Sequence, residues 1–207
     1  MAEKIEIKKE LTQIEFQQIF TEFQESIKEQ KNMHDLGRSF QILVKKITPA
    51  KEIHLLIVVE SGKTLETVTL EKNLIVDISS SNSILTKCYQ TKEALFSNDI
   101  ARDTHYNKEI DNFLDYPLKN LLVVPLFNED KEILGLIWAG IPQKDWNQYM
   151  QSDVEYMMQF SILLNENMTA EVEEPQEEKS QVEELQKEVG KESTSSMVKR
   201  LKTWLFK

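Results

Sequence analysis

The sequence predicts an α+β fold, an antiparallel sheet with flanking helices, and three observations predict it. Residues 118–142, LKNLLVVPLFNEDKEILGLIWAGIP, hold two apolar runs around a polar turn at Asn128-Glu129-Asp130-Lys131, the pattern of a β-hairpin. Both runs are apolar on both faces. Leu121 and Val123 oppose Leu122 and Val124, and Ile133 and Ile137 oppose Leu134, Leu136 and Trp138. A strand apolar on both sides is covered on both sides, so this hairpin belongs in the middle of a sheet. Finally, helical periodicities stand before and after it, while beyond Met168 the chain turns acidic, predicting a flexible linker and then a C-terminal amphipathic helix.

The bulk numbers narrow the function classes. At 207 residues the chain has room for one domain of ordinary size plus appendages. Its net charge of −10 argues against nucleic acid, whose phosphates select clustered Lys and Arg. The single cysteine, Cys88, excludes an internal disulfide framework and points to a reducing compartment. The opening residues, MAEKIEIKKE, lack the apolar stretch of a signal peptide. The longest apolar run, residues 133–141, is too short for a membrane span. A cytoplasmic protein is expected.

Residues 1–29 carry an amphipathic helix, in which Phe16, Phe20, Phe23 and Ile27 recur at spacings of four, three and four. Thr12 and Glu15 fit a capping box at its start. This seam serves either packing on the domain's own sheet or a homodimer interface, and Ile14 and Ile19 widen it enough for both. A second helix spans residues 36–47, stopped by Pro49. Residues 53–59 read as a strand and 64–70 as a half-exposed one after the turn Ser61-Gly62-Lys63. A short extended piece at 73–78 leads to Ser79-Ser80-Ser81-Asn82, which offers N-cap chemistry for a helix through Ile84, Leu85, Cys88 and Tyr89. Ala94-Leu95-Phe96 is a short strand, and the polar stretch 97–117 separates it from the hairpin. After the hairpin, Ser152 caps a closing helix carrying Val154, Met157, Met158, Ile162 and Leu164.

This order of features resembles the GAF family of small sensory domains, over residues 30–168. The resemblance rests on Asn98-Asp99, on Asp103 and Tyr106 as a D-x-x-[FY] element, on Asn120-Leu121-Leu122-Val123-Val124-Pro125-Leu126, and on the return strand Ile133-Leu134-Gly135. In GAF domains the long loop roofs a small-molecule pocket. A loop of about twenty residues inside a compact domain is usually functional or disordered. Phe113, Leu114, Tyr106 and Ile110 give residues 97–117 enough apolar content to be ordered. The resemblance therefore implies a ligand pocket lined by Asp99, Asp103, Tyr106, Asn107, Phe113 and Trp138. The alternative is that these residues merely staple the loop over an occluded core.

Several chemistries of the family lack their residues. The N-K…F-x-x-x-D-E pattern of cyclic-nucleotide binders has Asn107-Lys108 and Phe113, but Pro117-Leu118 replace the acidic pair. Bilin-binding relatives attach through a cysteine commonly beside a histidine, whereas Cys88 precedes Tyr89 and reads as a buried structural thiol. The methionine-sulfoxide-reducing relatives use several cysteines. His34, His54 and His105 are scattered without metal-ligand spacing. No cofactor, no metal and no catalysis are expected.

Residues 169–195 hold nine Glu and three Lys, a net of −6, and form an acidic linker. In residues 196–207 the sign reverses. On a helical wheel Met197, Val198, Leu201, Trp204 and Leu205 fall within about 120 degrees of one another, while Phe206 lies off that face and, at the chain end, can fray toward it. Lys199, Arg200, Lys202 and Lys207 occupy the rest, without an acid. A basic amphipathic helix with Trp at its apolar boundary lies in a bilayer interface. The segment is also similar to the tails of actin-like anchors that tether bacterial division filaments to membranes. Four basic residues near an anionic surface contribute roughly 4 kcal/mol, a weak and reversible anchor, and two tethered tails a firm one. The expected protein is a bacterial, non-enzymatic sensor, peripheral on the inner face of the cell membrane, homodimeric, and acting through a signalling or structural protein partner. The alternative is a ligand-free dimeric scaffold whose C-terminal helix docks onto a partner protein.

Overall fold

The computed structural model describes residues 11–170, apart from 29, 31, 60, 61, 71, 72, 80, 81 and 129. Its centre is one antiparallel sheet in the order β3-β2-β1-β6-β5-β4. The strands are β1 Glu52–Val59, β2 Thr64–Thr67, β3 Ile75–Asp77, β4 Leu95–Ser97, β5 Leu118–Phe127 and β6 Ile133–Pro142. The hairpin β5-β6 is interior, because β1 pairs with the far side of β6 and β4 with the far side of β5. Its double-sided apolar sequence follows from that position.

Each face of the sheet has its own core. Helices α1 Gln13–Lys28, α2 Met33–Ile47 and α5 Gln151–Ala170 cover Ile53, Leu55, Ile57, Leu122, Val124, Ile137 and Ala139. The opposite face, with Leu56, Val58, Leu121, Val123, Leu136 and Trp138, lies beneath α3 Ile84–Thr91 and the roof of residues 97–117, which holds the short α4 Lys108–Asp111. One alternation fails. Ile133 packs on the roofed side rather than with Ile137. Leu126 pairs with Gly135 and Phe127 with Ile133, so Leu134 is a bulge residue and the side-chain alternation resets there.

Local chemistry sets the helix starts. Thr12 and Glu15 form the capping box reciprocally, Thr12 N donating to Glu15 Oε2 at 2.8 Å and Glu15 N to Thr12 Oγ1 at 3.2 Å. Helix α2 begins three residues before the expected Leu36, because Asn32 accepts from Asp35 N at 2.9 Å. Helix α3 takes Ser83 as its cap rather than residues 79–82. The start of α5 is held by the Asp153 carboxylate, which accepts from Met150 N at 2.8 Å, rather than by a Ser152 cap. Strand β2 stops at Thr67, short of the expected Leu70.

Helix α1 is part of this core. Phe16 stacks on Tyr156 with ring centroids 4.3 Å apart, Phe20 meets Phe160 edge-on at 5.4 Å, and Phe23 lies between Phe160 at 5.0 Å and Phe40 at 5.8 Å. Phe16, Phe23 and Ile27 are buried and Phe20 is half-buried, so the seam offered for a homodimer interface is used inside the chain. What α1 leaves outside is Ile14, 72% exposed. Helix α5 extends through Ala170, two residues into the expected linker. The rest of that linker, and the tail from Met197, Val198, Lys199, Arg200 and Leu201 through Lys202, Trp204, Leu205, Phe206 and Lys207, lie outside the described residues. Among the described residues no helix is long and apolar enough to cross a membrane.

Candidate functional site: the roofed face of the sheet

The roof is fastened by a residue the sequence did not single out. Asp111 is fully buried, and its carboxylate accepts from the backbone N–H groups of Ile84 at 3.0 Å, Leu85 at 2.8 Å and Asn107 at 2.8 Å. Its carbonyl accepts from Trp138 Nε1 at 2.7 Å. One residue thus joins the first turn of α3, the roof and β6. Burial pushes its carboxyl up from the ordinary range, and the three amide donors oppose that shift. Asn112 clamps the roof's end, accepting from Tyr116 N at 2.9 Å and donating to Tyr116 O at 2.8 Å.

Beneath the roof lies an aromatic cluster. Phe113 meets Trp138 edge-on at 5.5 Å, and His54, opposite Trp138 in the β1–β6 register, lies 5.8 Å from Trp138 and 6.3 Å from Phe113. His54 is 4% exposed, and its Nδ1 bonds Thr69 Oγ1 at 3.0 Å. Its Nε2 has no hydrogen-bond partner, Glu52 Oε2 standing off at 3.6 Å. Burial, helped by the Lys45 charge, lowers its pKa to about 4, so the ring is neutral at pH 7.

Of the six expected lining residues the structure brings two together, Phe113 and Trp138. Tyr106 is half-buried against the same core, its phenol pushed up by burial and by the Asp111 charge. The other three serve the loop itself. Asn107 caps α4, its side chain accepting from Glu109 N at 3.0 Å. Asp99 pairs with Arg102 at 3.3 Å in solvent. Asp103 accepts from His105 N at 2.9 Å. Burial raises the Asp103 carboxyl, but bonds from His105 and Ser97 outweigh it and hold it below the ordinary value. A polar chain runs on from there: His105 Nδ1 is 3.5 Å from Asp103 Oδ1, and its Nε2 is 3.2 Å from Lys87 Nζ on α3.

His54 was visible as the one ionisable residue inside the apolar run Ile53–Val59. Asp111 had no such signal, since the partners that tie it across the fold are the backbone N–H groups of Ile84 and Leu85, more than twenty residues away, and the Trp138 indole. Cys88 is buried beneath the roof, its thiol pushed up by burial and 3.8 Å from Val123 O. Among the described residues no cluster of His, Cys, Asp and Glu could hold a metal ion.

The architecture is shared with known proteins. Free methionine-R-sulfoxide reductase from Neisseria meningitidis superposes with a TM-score of 0.62 at 10% identity, over 79% of this chain and 94% of that one. A GAF domain of a phosphoenolpyruvate-protein phosphotransferase from Coxiella burnetii gives 0.62 at 10% identity, over 76% and 94%. An A. aeolicus GAF domain in an inactive state gives 0.58 at 11% identity, over 76% and 98%. No curated protein sequence matches the chain. The first of these neighbours corrects the expectation that the chain is not an enzyme: this same fold houses a reductase, so the absence of familiar catalytic motifs does not exclude catalysis. The model of the GAF domain family matches residues 43–167, which hold β1–β6, the roof and most of α5, and the chain belongs to that family.

Proposed function

We propose that the chain is a sensory or regulatory GAF protein that takes a small molecule beneath its roof and is held reversibly at an anionic membrane by residues 196–207. GAF domains are typically sensory or regulatory, and the observation that carries the ligand reading is His54. A buried ring nitrogen without a protein partner, set against Phe113 and Trp138, suits a ligand with an apolar body and one polar group. Trp138 is fully buried with the roof down, so Phe113 and the roof move for entry. The test is a thermal-shift screen of small molecules on the full chain, read against His54→Gln and Phe113→Ala. A binder raises the melting temperature of wild type and loses that effect in both variants. A broad library that leaves wild type unmoved, or shifts all three alike, rejects the reading.

The membrane reading rests on the basic amphipathic pattern of residues 196–207, and homodimerisation would double the anchor. A second reading is a ligand-free scaffold that places a protein partner, with the tail docked on that partner. It is favoured by the satisfied Trp138 Nε1, which leaves the roofed face already filled. Flotation with anionic vesicles separates the two for the tail. Wild type floats and Trp204→Glu does not under the membrane reading, whereas flotation indifferent to lipid rejects it.

A further inference from the structure

Lys87, His105 and Asp103 form a chain across the outer seam between α3 and the roof, separate from the His54 cluster. Asp103 Oδ1 faces His105 Nδ1 at 3.5 Å, and His105 Nε2 faces Lys87 Nζ at 3.2 Å. A carboxylate beside Nδ1 favours the tautomer with its proton there, leaving the Nε2 lone pair directed at the lysine amine. An amine at this distance from an oriented imidazole has the geometry of a nucleophile with its general base. The seam is open to solvent, the His105 side chain being 47% exposed, so a reactant can reach the amine.

We propose that Lys87 is a preferred acylation site, with an acyl thioester as the acyl donor, His105 as the proton acceptor and Asp103 as the positioning residue. The ammonium first releases one proton to solvent. The Nζ lone pair then attacks the thioester carbonyl carbon, and a second proton passes to His105 Nε2 as the N–C bond forms. The C–S bond breaks, and the leaving thiolate takes that proton back from His105. The products are an acyl-lysine, a free thiol and one proton. The acylated side chain loses its charge and its bond to His105, which removes a tie between α3 and the roof.

The test incubates the full chain with acetyl-coenzyme A as the probe and follows each lysine by peptide mass spectrometry. Exposed Lys63 and Lys144 are internal references. The expected result is that Lys87 acylates at least about tenfold faster than the references, the low end of what a positioned base achieves being larger still. His105→Gln keeps an acceptor but no base, and brings Lys87 to the reference rate. Asp103→Asn reduces the advantage in part. Asp103→Glu, which keeps a carboxylate for His105 Nδ1, restores most of what Asp103→Asn loses, a rescue that a merely structural aspartate would not produce. A wild-type Lys87 no faster than Lys63 and Lys144 overturns the proposal, as does an advantage that survives His105→Gln with the melting temperature unchanged.

Discussion

His54 is buried in its neutral form, with a pKa of about 4 against an ordinary 6.5. The unfolded chain therefore binds this proton more readily than the folded one between those values, and stability rises with pH across that window. Falling from pH 6.5 to 4, the protein should lose on the order of 3 kcal/mol through this one ring. Urea titrations at several pH values check this: the loss should be present in wild type and absent in His54→Gln. Asp111 is the stronger constraint, since its carboxylate is the acceptor for three backbone donors. Asp111→Ala strands them in the interior and should cost about 3–5 kcal/mol in urea unfolding. A loss below about 1 kcal/mol would mean that water replaces the carboxylate.

At the scale of elements, the hairpin and α1 make separate predictions. A Cβ on Gly135 would run into the Leu56 carbonyl oxygen and lie 3.2 Å from Ile57 Cα, so the residue keeps β1 and β6 in pairing distance. Gly135→Ala should destabilise by about 1–3 kcal/mol, measured by the urea midpoint, because backbone rather than a flexible side chain must yield. On α1, Phe23 fills the space between Phe40 and Phe160. Phe23→Ala should cost about 3–5 kcal/mol at every protein concentration. A cost that grows on dilution of wild type would instead place Phe23 between two chains. The hairpin and the α1 seam were legible because burial on two faces and a four-three spacing leave marks in the residue order. The bulge at Leu134 and the cap at Ser83 left weaker marks, being decided by register and by competition among adjacent serines and asparagine.

For the molecule as a whole, the sheet and its two covers were readable from patterning, and the site only in part. Phe113 and Trp138 were found because large apolar residues on a roof and on a central strand must meet. Asp99, Asp103 and Asn107 matched a family pattern, but short polar side chains in loops commonly bond their own backbone, as Asn107 and Asp103 do here. The tail reading makes its own prediction at this scale. Fusing the chain to an obligate dimer should raise the vesicle-bound fraction well beyond additivity, by about 10²-fold in apparent affinity, measured by sedimentation with anionic vesicles. An unchanged fraction would mean that the tails act singly. The two faces of the sheet are meanwhile joined around its edge: Asn98, at the start of the roof, accepts from Tyr149 N at 2.8 Å and donates to Tyr149 O at 2.9 Å, just ahead of α5. In hydrogen-exchange terms, the Tyr149 amide is protected by a side chain of the roof. It exchanges when that clamp opens, reporting roof motion from the entrance of a helix on the opposite face.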